Sequence, residues 1–440
     1  MRAWVVAAAL ALPSACSLAA APAGRARAAT LLRAETVLEV APASPPAALE
    51  EEEEAAAPAA LDAIGRAKRY LALGNNVPQQ LGPTRAADLE RELHDDFEFV
   101  APLVGPLDKK ALIAATTGLD LGEGLPDFDA RYHDFRLDAD DPSRVWCMMR
   151  VVGTHTGPLR FGSLDAAPKD PPRRAESPPE AVSLRFADDG RLIELTTGYV
   201  VDRRVGTTGG LGGLFGVLEG IGYPLPAPLT RTTGELLAPA LRALGAIPRE
   251  DQSALRVATN LPRLPDARCL ELTRALHAAD FGVADASLLA ENFTFTGPVV
   301  GPLAKREFLD AFGGFGLAAA MPDLEYRYRD LRVCPFDANR VWYTSSPSGT
   351  HTAPLALGGD EFAPTGRRWM SPPECGSAQF DGDGRCVALT GGYVMDRRMG
   401  NTDGLGGIFG LCAALGLPTP LPAWLLRTPT QNFARLTGSA

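Results

Sequence analysis

Gly153-Thr154-His155-Thr156 and Gly349-Thr350-His351-Thr352 are one phrase written twice, 196 positions apart, and that repetition decides the fold. The chain around it repeats in step. Gly105-Pro106-Leu107, Pro126-Asp127 and Val145-Trp146 return at the same interval as Gly301-Pro302-Leu303, Pro322-Asp323 and Val341-Trp342. A two-residue change of length then sets the spacing to 194. Ser177-Pro178-Pro179-Glu180 matches Ser371-Pro372-Pro373-Glu374, Gly198-Tyr199-Val200 matches Gly392-Tyr393-Val394, and Asp202-Arg203-Arg204 matches Asp396-Arg397-Arg398. Chance does not give so many matches in order, and solenoid repeats run to only about 20–50 residues. The chain is therefore expected to hold one domain twice, at 61–229 and 266–430, with a connector at 230–265 and a tail at 431–440.

Each unit reads in the same order. A helical stretch (Leu61 to Leu73 with Ala87 to Leu93; Cys269 to Ala279 with Ala286 to Ala290) leads to a short strand, Phe97 to Val100 or Phe293 to Thr296. After the Gly-Pro turn, apolar residues at helical spacing predict a helix over Lys109 to Thr117 and over Lys305 to Phe312. Strands follow at Phe128 to Leu137, Arg144 to Thr156, Ala181 to Phe186 and Arg191 to Val201, with counterparts in the second unit. Asp188-Asp189-Gly190 and Asp381-Gly382-Asp383-Gly384 carry the residues of tight hairpins. Helices followed by antiparallel strands make an α+β fold, with the sheet folded over the helices around a pocket. The connector holds one helical segment, Glu235 to Leu244.

Composition bounds the rest. A chain of 440 residues is long enough for more than one core. A net charge of −10 leaves no broad cationic surface for phosphates or anionic lipids, so nucleic acid is not an expected partner. The seven cysteines include no CxxC pair and are odd in number, which favours buried thiols over a disulfide framework. Residues 1–60 are expected to lie outside the fold. Met1-Arg2, the apolar run Trp4 to Leu12, Pro13 and small residues to Ala21 have the layout of a secretory signal peptide, too short to stay as a membrane span. Pro22 to Ala34 carries Arg25, Arg27 and Arg33 with no acidic residue, similar to a transit peptide. That bipartite order looks like plastid targeting in algae with complex plastids; plain secretion, and a lipoprotein modified at Cys16, are the competing readings. Pro42 to Ala60, with Glu50 to Glu54, reads as a solvated linker.

The order GPL, helix, PD, VW, GTHT, PPE, DGR and GYVVD or GYVMD resembles the SnoaL-like polyketide cyclase pattern within the nuclear transport factor two-like superfamily. The second unit also holds Pro364-Thr365-Gly366-Arg367, which the first keeps only as Asp170-Pro171-Pro172-Arg173-Arg174. The resemblance spans about 130 residues of each half. It implies two tandem cone-shaped domains, each a strongly curved, mostly antiparallel sheet wrapped over its N-terminal helices. It also implies that the two copies pair back to back within the chain. The family's chemistry would be aldol-type ring closure or isomerisation: a base takes a proton α to a carbonyl and donors hold the enolate, with no cofactor and no metal. The ligand would be a small apolar carbonyl compound.

Asp202 and Asp396 match the family's catalytic Asp. Either they are bases, their pKa raised in an apolar pocket, or they are structural carboxylates paired with Arg204 and Arg398. His155 and His351 are the only histidines matched between the halves. Alternation along Arg144 to Thr156 puts His155 on the apolar face with Val145, Cys147, Met149 and Val151, as a donor or proton shuttle; the other reading is a side chain that satisfies a turn. Glu180 and Glu374 lie at a pocket mouth or at a solvated strand start. Tyr199 and Tyr393, with Trp146 and Trp342, are pocket candidates, and each Tyr also reads as a core aromatic with a bonded hydroxyl. The glycine-rich runs Gly206 to Gly222 and Gly400 to Gly416 lack both phosphate-loop signatures and read as small-residue packing faces. A non-catalytic module that binds an apolar ligand or a protein is the alternative function.

Overall fold

The computed structural model describes residues 62–75, 83–116, 121–161, 164–223, 260–357 and 360–418. The expected leader and acidic linker, the segment Glu235 to Leu244 and the tail lie outside them. In the first half, helices Ala63–Asn75 and Pro83–Glu92 run into β1 (Leu93–Val100). Gly105, at φ +102°, turns the chain into β2 (Leu107–Asp108) and helix Lys109–Thr116. After helix Leu121–Gly124 come β3 (His133–Leu137), β4 (Arg144–Met149), β5 (Val152–His155), β6 (Leu159–Phe161) and β7 (Leu164–Ala166). β8 (Arg173–Glu176), β9 (Glu180–Phe186), β10 (Leu192–Val200) and helix Gly213–Gly220 complete it.

The second half repeats this series. Helix Asp266–Ala278 and two 3-10 turns, Asp280–Gly282 and Ala286–Leu288, precede β11 (Leu289–Thr296), β12 (Leu303–Ala304) and helices Lys305–Phe312 and Leu317–Ala320. Then follow β13 (Arg329–Val333), β14 (Arg340–Ser345), β15 (Ser348–Thr350), β16 (Leu355–Leu357), β17 (Asp360–Phe362), β18 (Arg368–Met370), β19 (Glu374–Phe380), β20 (Cys386–Val394) and helix Gly407–Leu415.

Each half builds one six-stranded mixed sheet, ordered β2-β1-β10-β9-β4-β3 and β12-β11-β20-β19-β14-β13. β1 pairs with β10, and β11 with β20, in parallel; the other neighbours are antiparallel. Gly190 and Gly384, both at φ +82°, take the hairpin position that only glycine adopts cheaply.

Both faces of each central strand are buried, and period-two alternation divides the side chains between them. Val145, Cys147 and Met149 of β4 pack with Ala67, Leu71, Val182 and Leu184 on an inner face covered by the helices. Trp146 and Met148 point the other way. They share one outer cluster with Ala181, Tyr199 and Val201 and, from the second half, Trp342, Cys375, Tyr393 and Met395. The glycine-rich segments do pack closely: a Cβ on Gly220 would fall 2.8 Å from that of Ala175, and one on Gly212 2.7 Å from the Gly198 carbonyl. The six described cysteines are free and buried. No helix among the described residues is long and apolar enough to cross a membrane.

Three expected elements differ. Of Phe128 to Leu137 only His133–Leu137 is a strand, with Asp129 bridged singly to Val152. Arg144 to Thr156 is not one strand. It breaks at Arg150-Val151, where the Arg150 amide bonds the Ala130 carbonyl and Ser177 takes the Val151 amide, and β5 then pairs with β8 in a separate small sheet. Val151, beyond the break, still packs in the inner cluster with Val145, Cys147 and Met149. Ala286 to Ala290 is no helix beyond its 3-10 turn, because Leu289 is already paired with Cys386. Trp342→Ala, which empties the centre of the outer cluster, is expected to lower unfolding stability by about 3–5 kcal/mol. Guanidinium titration would read this as a lower midpoint at unchanged slope.

Candidate functional site

The repeated Asp-Arg-Arg follows the last strand of each half and is held from the other half. Asp202 is fully buried. Its carboxylate takes the Arg204 side chain at 2.8 and 2.9 Å and the Arg340 guanidinium from β14 of the second half. Burial alone would raise its pKa, but these two guanidiniums outweigh burial and hold the carboxyl well below the usual carboxylate range. Arg340 also pairs with Asp337 at 3.0 Å. Asp396 repeats the pattern with Arg398 at 2.8 Å and, more loosely, with Arg144 at 3.8 Å. Arg203 donates to the carbonyls of Gly297 and Gly301, and Arg397 to that of Gly105, so each Asp-Arg-Arg grips the Gly-Pro-Leu turn of the other half. Two more reciprocal pairs, Arg136 with Asp330 at 3.1 Å and Arg332 with Asp134 at 3.2 Å, cross the same surface.

Neither Asp202 nor Asp396 faces the inner core, and the pairing of Asp202 corrects its expected role: a carboxylate neutralised by two guanidiniums is a poor base. The aromatic pocket candidates also move to the outer face. Tyr199 Oη accepts from the Arg397 amide at 3.4 Å and Tyr393 Oη from the Arg203 amide at 3.3 Å. Burial, then Asp396, pushes the Tyr199 hydroxyl up to about 12. Trp146 donates to Asp138 at 2.5 Å, and Trp342 lies under the Arg340 guanidinium, 4.5 Å from ring centre to charge. These four side chains build the contact between the halves and line no inner hollow, because alternation turns 146, 199, 342 and 393 outward.

His155 is buried, and burial lowers its pKa against the opposing pull of the Ala166 and Gly157 backbone. No hydrogen bond among the described residues joins it to Asp202 or Glu180. His351 holds a turn: its Nδ1 accepts from the Thr365 amide at 3.3 Å, within the Pro364-Thr365-Gly366-Arg367 stretch, and its backbone bonds Arg367 and Gly366.

Glu180 and Glu374 open β9 and β19 on the inner face, in phase with Val182, Leu184 and Ala378. Glu180 Oε2 accepts the Gly213 amide at 2.9 Å, and Glu374 Oε1 accepts the Gly407 amide at 2.8 Å and the Ser371 hydroxyl at 2.5 Å. Each carboxyl thus meets the first amide of a helix, where the dipole favours negative charge. Burial still prevails. It raises Glu180 to about 7, against the Gly213 amide and Ser177, and raises Glu374 against Ser371 and Gly407. A carboxyl that titrates near neutrality inside an apolar wall can both accept and return a proton.

Beside Glu374 lies a group of side chains that sequence reasoning missed. His277 stacks on Tyr328 with ring centres 4.1 Å apart and meets Tyr343 edge-on at 4.5 Å; Phe281 and Tyr326 complete the cluster. Burial lowers the His277 pKa to about 4 and, with Tyr328 next, raises that of Tyr343. The charge of Glu374 acts on both Tyr328 and Tyr343. His277 has no match in the first half, so the repeat comparison that singled out His155 passed over it. The signal was Tyr326, Tyr328 and His277 themselves, polar aromatics in phase with apolar residues. Among the described residues, no three His, Cys, Asp or Glu side chains converge as metal ligands.

No protein-family profile and no curated protein matches the chain. Solved structures do. A protein described as a SnoaL-like polyketide cyclase from Jannaschia sp. CCS1 shares 14% identity over 36% of this chain and 99% of its own, with a TM-score of 0.25. TsrD from Streptomyces laurentii shares 19% over 36% of this chain and all of its own, also at 0.25. An NTF2-like protein of unknown function from Exiguobacterium sp. 255-15 shares 14% over 30% and 95%, at 0.22.

Asp202→Asn is expected to destabilise the chain by about 3–5 kcal/mol, since it leaves Arg340 buried beside a neutral group. Its depressed pKa gives stability that is complete above about pH 3.9 and is lost as pH falls through the lower folded value. The gap between wild type and variant, followed by urea unfolding, therefore closes in acid. Glu180 has the opposite sign. Its contribution is complete below about pH 4.3 and is lost as pH rises through about 7. Over that window wild-type stability should fall relative to Glu180→Gln, which carries no titrating proton there.

Proposed function

We propose that the chain is a small-molecule pocket protein of the SnoaL-like kind, built of two copies at 61–229 and 266–430 that pair through their outer faces. The chemistry we assign to it is cofactor-independent proton transfer at a carbon beside a carbonyl, the step that drives aldol-type ring closure or isomerisation. One observation carries this reading: the inner face of each sheet holds a buried glutamate, Glu180 or Glu374, fixed by a helix amide and raised toward neutrality. A carboxylate whose pKa burial raises is a stronger base than a free one and, once protonated, can return the proton elsewhere on the same ligand. The order of the repeated motifs supports the class. The outer cluster and the reciprocal Arg-Asp contacts support the pairing.

In this proposal Asp202 and Asp396 hold the copies together and His351 fixes a turn. The ion-paired aspartates also favour a second reading, in which the pockets bind an apolar carbonyl ligand without turnover. Residues 1–60 are proposed to direct the chain to a plastid, and N-terminal sequencing of the mature protein would test this.

The test of activity needs no known substrate. Aryl methyl ketones and cyclic diketones would be incubated with the protein in deuterated buffer, and α-deuteration followed by NMR. Exchange above the buffer rate is expected, falling about 10²–10⁴-fold in Glu180→Gln/Glu374→Gln. An unchanged rate in that double variant would remove the glutamates as bases.

A further inference from the structure

The two Asp-Arg-Arg segments are built alike and answered differently. Each contact of one returns in the other with the halves exchanged: Asp202 with Arg340 and Asp396 with Arg144, Arg203 with the Gly301 carbonyl and Arg397 with that of Gly105. The guanidiniums of Arg204 and Arg398 therefore stand at matching places, each clamped through Nε and Nη2 to its own aspartate. Beyond that clamp the match ends. Arg398 reaches two more carboxylates, Glu194 at 3.0 Å and Glu98 at 3.5 Å, and Glu194 also takes Arg144 at 2.5 Å. Glu98 and Glu194 are register partners on β1 and β10. At the same register of β11 and β20 the partners are Thr294 and Ala388. Arg204 thus has one carboxylate, shared with Arg340, where Arg398 has three.

Solvent does not make up the difference. The Arg398 side chain keeps 28% of its surface exposed and that of Arg204 only 1%. Arg204 Nη1 is buried and has no hydrogen-bond partner among the described residues. An N–H of a charged group left unpaired away from water is costly. A second donor is stranded on the same strand: Thr296, two residues along β11 from Thr294 and so on the same face, is buried with its hydroxyl unpaired where the first half has Val100. Burial pushes the thiol of Cys386, the first residue of β20, up to about 12, and Arg204 is among the groups that oppose it. Arg204 therefore faces the strand that carries Ala388.

The exchange of side chains also leaves room for an acceptor. Ala388 in place of Glu194 removes a methylene and a carboxylate. Gln379, which partners Ala388 where Arg185 partners Glu194, turns its amide to the Ala338 carbonyl at 3.0 Å. What answers Arg204 must be negative, must accept from N–H donors and must need no more room than the lost carboxylate. A monatomic halide meets all three conditions; a phosphate or an organic acid is too large for so closed a place.

We propose that the contact between the halves holds one chloride ion, bound by Arg204 Nη1 beside Thr294 and Ala388, at the place Glu194 takes against Arg398. The ion does the work of the missing carboxylate and is taken up as the halves pair. The site lies on the outer faces and is independent of any chemistry on the inner ones.

Urea unfolding of the full-length protein would be followed in sodium chloride and in sodium gluconate at equal ionic strength, gluconate being too large for the site. For a Kd of about 1 mM, about 100 mM chloride should lower the unfolding equilibrium constant about 100-fold relative to gluconate. Ala388→Glu, which imports the first half's carboxylate, should abolish that difference. Crystals grown in sodium bromide should show an anomalous peak within hydrogen-bond reach of Arg204 Nη1, absent in Ala388→Glu. A difference that persists unchanged in the variant would be a general salt effect and would overturn the site. So would equal stability of the native chain in the two salts, or bromide found only on the surface. Should Ala388→Glu fail to fold, the bromide map of the native chain decides.

Discussion

Asp202 sits at zero exposure between Arg204 of its own half and Arg340 of the other, and the arrangement of the molecule follows from the need to neutralise that charge. A lone carboxylate there would cost several kcal/mol, so the two halves must meet in the one register that delivers Arg340 to it. Such a pair adds little net stability over an apolar contact of equal size. Its effect is on specificity: a slide of one residue along β14 would replace the guanidinium with Val341, leaving Asp202 to Arg204 alone and Arg340 to Asp337 alone. The reciprocal contacts of Arg136 with Asp330 and Arg332 with Asp134 repeat the demand at a second point.

With the outer faces in contact, Glu180 and Glu374 lie on the inner ones. This separates two kinds of buried carboxyl that look alike in sequence. Asp202 is buried among cations and stays ionised. Glu180 and Glu374 are buried among apolar side chains, with one helix amide and a serine for company, and lean toward the neutral form. The difference comes from which face of the sheet the residue occupies, and that parity is set one strand position at a time.

The repeat made much of this legible. Helix Lys109–Thr116, the β9-β10 hairpin and their counterparts fall where spacing placed them, because turn glycines and helical periodicity are local signals. The outward turn of Trp146, Tyr199 and Asp202 was not legible. An alternating strand buried on both sides gives no polar face to tell inside from outside, and the partner that covers the outer face lies some two hundred residues away in the chain. The ion pairs of Asp202 and Asp396 with Arg204 and Arg398 were read correctly as one alternative, since they are local; Arg340 was not, since it is distant. The break at Arg150-Val151 was not legible either, because it is made by a backbone bond to Ala130 and by the Ser177 hydroxyl, both distant in the chain.

Residues shared by the two halves therefore mark what both must do, and that is chiefly to fit each other. Asp-Arg-Arg, Gly-Pro-Leu, Val-Trp and Gly-Tyr-Val all contribute to the contact between sheets. Chemistry peculiar to one half has to be sought where the repeat fails. Tyr343 against Cys147, Gly376 against Val182 and Tyr326 against Ala130 are three departures on one inner face, and the first two compensate each other in volume. Independent drift in a packed core would leave a void or a clash at each step. Change that is compensated in volume while the outer contact keeps its motifs shows that the inner face of each half can repack as long as the contact between the sheets is preserved.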